Sequence, residues 1–282
     1  SYFPLFGILI HLITLFNKYK KTMKKKFAII LAFLLIPKFL ISQELITGNK
    51  RDHPETILFV GNSYLYYNDS LHNHFKRMVE EYLAGSDGGV SVKSATIGGS
   101  RLKHHDVERL IKPKAISSIE SFDLVILQGG SSEALTKANR KEFSYFVKKH
   151  VDAIKANNSQ AALYMTHAYV KPHENFMDDQ IRVIEKAYTK VGNENQVLVI
   201  PVGLAFDLAY QEKPSIRLHK LDGTHPNILG TYLAACTVFA SIYGKKTIGL
   251  KYDYFGAINE KDKIFLQKIA DKVTSMYYNK EY

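Results

Sequence analysis

Four short apolar runs, at residues 56–60, 124–128, 162–166 and 197–201, constrain the fold more than any other feature of this sequence. They read as buried strands of a parallel sheet. A fifth run, 90–97, alternates more strongly and is expected nearer a sheet edge. Between the runs, residues 71–84, 141–156 and 178–191 repeat apolar side chains at spacings of three and four, and 265–277 reads as a closing amphipathic helix. Alternating strand and helix predict an α/β fold, a parallel sheet of about five strands with helices on both faces. There is no internal repeat and no low-complexity linker.

The first 42 residues have a different character. Met23 is followed by Lys24, Lys25 and Lys26, an apolar run from Phe27 to Pro37, and small polar residues up to Ser42. That order is the pattern of a secretory signal peptide. Cleavage is expected near Ser42–Gln43, with export to a periplasm or beyond the cell. No cysteine lies there to carry a lipid. Residues 1–22 contain no Met and precede the expected start at Met23, so they read as an upstream extension. The competing reading, two membrane segments at 3–16 and 27–41, leaves each short of the ~20 apolar residues a spanning helix needs. Residues 43–282 are expected to form one domain with no stable membrane span.

Charge argues for no nucleic-acid partner. The first 42 residues hold seven lysines and no acid, and subtracting these seven from the formal +11 leaves +4. That balance is ordinary, and gives no case for nucleic-acid binding. Cys236 is the only cysteine, so no intrachain disulfide can form, and its apolar helical surroundings predict a packed thiol.

In parallel sheets ligands gather beyond the carboxyl ends of the strands. In chain order those ends carry Gly61-Asn62-Ser63-Tyr64, then Gly98-Gly99-Ser100-Arg101, then Gln128-Gly129-Gly130-Ser131-Ser132-Glu133, then His167-Ala168-Tyr169. Asp222-Gly-Thr-His225-Pro226 follows the last strand, just before an apolar helix. Pro226 suits a first helical position, with His225 or Thr224 as the cap. A serine on a strand-to-loop turn, with Asp and His arriving late in the chain, is how a hydrolase builds a Ser-His-Asp triad. The candidate set is Ser63, His225 and Asp222.

These blocks resemble the SGNH (GDSL-type) hydrolases over roughly residues 55–245. The resemblance implies a flavodoxin-like, three-layer α/β/α sandwich and a Ser-His-Asp triad. Ser63 matches the nucleophile of the first block, Gly98 or Gly99 the glycine of the second, and Asp222 and His225 the Asp-x-x-His block with its following proline. Two departures stand out. The first block usually reads Gly-Asp-Ser, and here reads Gly61-Asn62-Ser63. The third usually carries Gly-x-Asn-Asp, whose asparagine donates to the oxyanion, and here reads Gln128-Gly-Gly-Ser-Ser-Glu133. The latter is similar to the Gln-Gly-Glu version of carbohydrate acetylesterase and sialate O-acetylesterase relatives.

Carried over residue by residue, the resemblance makes Ser63 N–H, Gly99 N–H (or Gly98) and the Gln128 amide the oxyanion donors, with Ser131 or Ser132 as alternatives to Gln128. One such donor contributes about 3–4 kcal/mol to lowering the barrier. Asn62, Tyr64, Arg101, His167 and Tyr169 are candidates to line the substrate, with turn-bracing or an Asx-turn as the other reading of Asn62, a solvated basic turn that of Arg101 and rim packing that of His167 and Tyr169. Tyr64, Tyr66 and Tyr67 form an aromatic cluster that serves either as a wall or as packing. No cofactor is implied. His72 and His74 face different sides of a helix, and His104-His105-Asp106 lacks ligand spacing, so no metal is expected. The expected substrate is a small acyl ester or an acetylated glycan. The alternatives are a fold-sharing glycan-binding or surface protein without turnover, and a lipase or thioesterase.

Overall fold

Strand β1 (Thr56–Gly61) is the line along which the molecule is organised. It pairs in parallel with β2 (Ser91–Thr96) on one side and β3 (Leu124–Gln128) on the other. Beyond β3 the sheet continues through β4 (Gln160–Tyr164) and β5 (Leu198–Ile200), again in parallel. The order β2-β1-β3-β4-β5 is the flavodoxin-type doubly wound order, with its switch point between β1 and β3. Residues 53–85 and 89–280 are described in the computed structural model. The expected leader at 1–42 lies outside them.

The strands are apolar on both faces because both faces are covered. Ile57 and Phe59 of β1, Leu124 and Ile126 of β3, and Leu198 and Ile200 of β5 face one core. The alternate residues Leu58, Val60, Val125, Leu127 and Val199 face the other. The first core is closed by α2 (Leu71–Tyr82), α6 (Val202–Glu212), α7 (Ile228–Tyr243) and α8 (Glu260–Tyr278). The second is closed by α3 (Val107–Leu110), α4 (Lys137–Ala156) and α5 (Gln180–Asn195). The expected sandwich is therefore the observed one, with β2 at an edge.

Several boundaries differ from the sequence reading, each for a local reason. Strand β4 begins at Gln160, which pairs with Leu124, and it ends at Tyr164, before the expected 166. Helix α4 starts four residues early, at Lys137, because Thr136 accepts the Asn139 N–H at 3.1 Å and caps it. Helix α6 was not expected, and it separates β5 from the Asp222–His225 loop. Its signal was present: Val202, Ala205, Phe206 and Ala209 fall on one helical face and are buried. Pro226 is not the first residue of α7. The cap is Asn227, whose side chain accepts the Gly230 N–H at 3.0 Å, while Pro226 forms a single antiparallel bridge with His219.

Nearly every residue of α7 is buried, as expected for a helix that is apolar all round. Cys236 lies within it, and burial pushes its thiol up. Among the described residues no helix is long and apolar enough to cross a membrane. Among them, too, no group of three or more His, Cys, Asp or Glu side chains is placed to hold a metal ion.

Candidate active site

The switch point between β1 and β3 is where ligands gather in sheets of this order, and the chain turns sharply at the carboxyl end of β1. Directly after β1, Asn62 caps the short helix α1 (Ser63–Tyr66), its side-chain oxygen accepting the Tyr64 N–H at 3.1 Å. Such a cap contributes about 1 kcal/mol and fixes how the chain leaves the strand. The Asn62 amide also donates to the Ser100 carbonyl at 3.0 Å, Ile97 N–H to the Gly61 carbonyl at 3.1 Å, and Ser100 Oγ to that same carbonyl at 3.3 Å. Three bonds thus stitch the turn after β1 to the segment after β2.

The Asp222–His225 loop reaches this turn from the segment between α6 and α7. Asp222 accepts the N–H groups of Thr224 and His225, each at 2.9 Å, and its other oxygen lies 2.7 Å from His225 Nδ1. With Nδ1–H donating to that carboxylate, His225 Nε2 is left as an acceptor. It lies 2.8 Å from Ser63 Oγ. Ser63 is largely buried, His225 half-buried and Asp222 exposed. Burial by itself would raise the Asp222 carboxyl, but hydrogen bonds from Thr224 N–H, the His225 ring and His225 N–H outweigh it and hold the group at about 2. Asp222 is therefore an anion at any ordinary pH, which keeps the imidazole in the tautomer that faces Ser63 as a base. Gly223, inside the loop, sits at φ +71°, with the Val170 carbonyl where a side chain would begin.

Gln128 is not placed as an oxyanion donor. Its Oε1 accepts the Asn62 N–H at 2.8 Å and its Nε2 donates to the Gly129 carbonyl. With the side chain 1 % exposed, its role is to clamp the Ser63 turn from behind. Asn62 is likewise no lining residue, since it is buried with both ends of its amide committed to backbone.

Tyr64 and His167 form a layer beneath the loop. The Tyr64 hydroxyl lies 2.7 Å from Thr224 Oγ1, and its ring stacks on His167 at 4.2 Å. His167 is stacked in turn on Phe206 at 4.4 Å. Burial first, and then His219 nearby, push His167 well below the ordinary imidazole range. Both residues hold the loop, and both are buried.

The remaining expected residues sit beyond the ends of β2, β3 and β4. Tyr169 donates its hydroxyl to Ser131 Oγ at 2.9 Å, stacks on His173 at 3.8 Å and is almost fully buried. Arg101 is partly exposed, reaching Glu142 and Asn139 at 3.3 Å and Ser132 Oγ at 3.4 Å, so Ser131 and Ser132 are both engaged. Gly98 and Gly99 are exposed at the end of β2. Glu133 is wholly buried and accepts the N–H groups of Gly130 and Leu102. Burial raises its carboxyl despite those bonds.

Sequence reasoning missed one anchor. Asn68 donates to the Pro226 carbonyl at 2.9 Å and to Thr231 Oγ1 at 2.8 Å, tying the end of the Tyr66–Tyr67 segment to the residue after His225. Asn68, Asp69 and Ser70 lie in succession at φ +54°, +66° and +60°. Left-handed conformations in such residues cost on the order of 1 kcal/mol each. The Asn-Asp-Ser run is a turn signal that was available in the sequence.

No protein-family model and no curated protein matches this sequence. Solved structures do. A DUF4886 family protein from Bacteroides uniformis superposes with a TM-score of 0.62 at 18% identity, covering 80% of this chain and 96% of that one. A candidate SGNH hydrolase from Slackia heliotrinireducens superposes at 0.51 with 23% identity, covering 66% of this chain and 98% of its own. The chain has the SGNH-hydrolase fold. The acetyl xylan esterase AlAXEase shares that SGNH fold as well, at a TM-score of 0.52 and 18% identity, covering 66% of this chain and 99% of that protein.

Proposed function

We propose that this chain is a serine ester hydrolase that removes small acyl groups, O-acetyl groups on carbohydrate being the substrate class. One observation carries the reading: the continuous line from Asp222 through His225 to Ser63, at 2.7 and 2.8 Å, at the carboxyl end of β1 beside the sheet's switch point.

Ser63 Oγ attacks the ester carbonyl carbon as its proton passes to His225 Nε2. The carbonyl oxygen becomes an oxyanion, met by the Ser63 and Gly99 N–H groups. Collapse breaks the bond to the alcohol, and the imidazolium returns the proton to that departing oxygen. Water then attacks the acyl-serine, giving its proton to His225. Release of the acid restores the Ser63 hydroxyl. Asp222 stays ionised throughout, orienting and stabilising the imidazolium.

The carbohydrate assignment draws on the resemblance of Gln128–Glu133 to acetylesterase relatives and on the likeness to an acetyl xylan esterase. Export rests on the pattern from Met23 to Ser42. A second reading, glycan binding without turnover, is favoured by the engaged Gln128 amide, which removes one donor from the oxyanion site. Hydrolysis of p-nitrophenyl acetate by the protein and by Ser63→Ala and His225→Ala separates the two. Activity lost in both variants supports the esterase. A wild-type protein that binds glycan and turns over no ester supports the alternative.

A further inference from the structure

The sequence places three tyrosines around the nucleophile, and the fold separates them. Tyr64 is buried under the Asp222–His225 loop. Tyr67 is half-buried, its ring centroid 4.4 Å from that of His225, and Lys220 Nζ sits 4.2 Å from the same ring. Tyr66 stacks against Tyr67 at 5.4 Å with the rings 16° from parallel, and is 42 % exposed. A side chain begun at Gly98 would stand 3.1 Å from the Tyr66 hydroxyl, so this ring spans from the segment after β2 toward His225. Two exposed apolar side chains neighbour these segments in the chain, Ile97 beside Gly98 and Leu221 beside Asp222.

The chemistry of the triad says which part of a substrate this surface meets. His225 Nε2 takes the proton of Ser63 and must deliver it to the departing oxygen, so the leaving alcohol lies on the imidazole side of the scissile bond. That side is bounded by Tyr67, and beyond it by Tyr66. Tyr67 already has His225 and the Lys220 ammonium against it. Tyr66 is the ring with a surface left for a ligand.

The segment is also held in place. The chain leaves Tyr67 through the left-handed run Asn68–Ser70, and this unfavourable backbone is fixed by Asn68 to the Pro226 carbonyl, by His74 Nε2 to the Asn68 carbonyl at 2.7 Å, and by Arg77 to Asp69 at 2.7 Å. Backbone strain of this kind persists where the surroundings over-determine it, and it collects at ligand sites. The pinning joins the two tyrosines to the same loop that carries the catalytic base.

We infer that Tyr66, backed by Tyr67, is the leaving-alcohol subsite, and that it selects esters whose alcohol is a pyranose ring. A pyranose presents a flat C–H face that stacks on an aromatic ring, while its hydroxyls stay in water. This inference rests on the esterase reading above for the placement of the alcohol.

The test uses the full chain as wild type, Tyr66→Ala, Tyr66→Phe and Ser63→Ala, with folding checked by thermal melting. Hydrolysis of a monoacetylated methyl pyranoside is compared with that of ethyl acetate. Saturation-transfer NMR then follows methyl pyranoside binding to each protein. The expected result is a fall of tenfold or more in kcat/KM for the pyranoside ester in Tyr66→Ala. The fall for ethyl acetate is under threefold, Tyr66→Phe recovers most of the loss, and transfer to the ring protons disappears in Tyr66→Ala. Equal losses on both esters, or no loss on either, with Ser63-dependent hydrolysis intact, would overturn the subsite and leave the esterase. Tyr66-dependent transfer in a protein without hydrolysis would overturn the esterase and leave a pyranose site.

Discussion

His167 Nε2 lies 2.8 Å from the carbonyl oxygen of Thr224, the residue immediately before His225. A carbonyl only accepts, so Nε2 carries the proton and His167 is neutral, its Nδ1 buried without a protein partner. This bond helps hold the catalytic loop against the body of the fold, alongside the Tyr64–Thr224 contact, Asn68 on the Pro226 carbonyl and the Val170 N–H on the Gly223 carbonyl at 2.9 Å. His167→Phe keeps an aromatic ring between Tyr64 and Phe206 while removing the donor. We predict a fall in kcat of about tenfold for the loss of one positioning bond worth ~1 kcal/mol or somewhat more, with KM little changed. His167→Gln, which can offer a donor again, should recover part of it. Steady-state kinetics of the two variants is the check, and a change confined to KM would contradict the positioning role.

Gln128→Ala should be damaging in a different way. It removes the acceptor for the Asn62 N–H and the donor to Gly129, leaving buried backbone groups unpaired next to Ser63. An unsatisfied buried group costs about 1–3 kcal/mol. The variant should therefore show both a lower thermal midpoint and reduced turnover. An oxyanion donor would behave otherwise, with kcat down and the melting temperature unchanged. Calorimetry alongside kinetics distinguishes the two.

Stability should fall on acidification because buried imidazoles, His219, His105 and His167 among them, are kept neutral. His219 is held at about 4 chiefly by burial, and His105 at about 4 by burial and then by His150 and His104. His167 is displaced in the same direction. Their folded values lie below the ordinary unfolded value near 6.5, so the unfolded chain binds more protons between those limits. The stabilisation is present above pH 6.5 and is lost as pH falls toward 4. For His219 the displacement from 6.5 to about 4 corresponds to on the order of 3 kcal/mol. Thermal melts at pH 7, 6, 5 and 4.5 should show a steadily falling midpoint, and a flat profile would contradict the neutral state of these rings.

What could be read from the sequence divides along sequence distance. The strands were visible because parallel strands buried on both faces are continuous apolar runs, and β3 falls at its expected 124–128. The acid and base were visible because Asp222 and His225 lie three residues apart in one loop, so their geometry is local. The partners of Gln128 were not visible. Its contact with Asn62 spans 66 residues and depends on β1 and β3 being neighbours. The same limit applies to His167, whose acceptor lies 57 residues away, and to Tyr64, whose partner lies 160 away. Residues at the rim of a parallel sheet look alike in sequence whether they face a ligand or turn under it. Position alone leaves Asn62 between lining and bracing the turn, and Tyr64 and His167 between lining and packing; the fold puts all three beneath.

Covalent capture of Ser63 tests the central claim most directly. A fluorophosphonate reacts with a serine only where a base withdraws its proton and donors receive the developing charge, so it reports the activated nucleophile independently of any natural substrate. The account predicts a single stoichiometric adduct, mapped by peptide mass spectrometry to Ser63, strongly slowed in His225→Ala and absent in Ser63→Ala. An unlabelled Ser63 in a folded protein that hydrolyses acetyl esters, or an adduct on another residue, would contradict it.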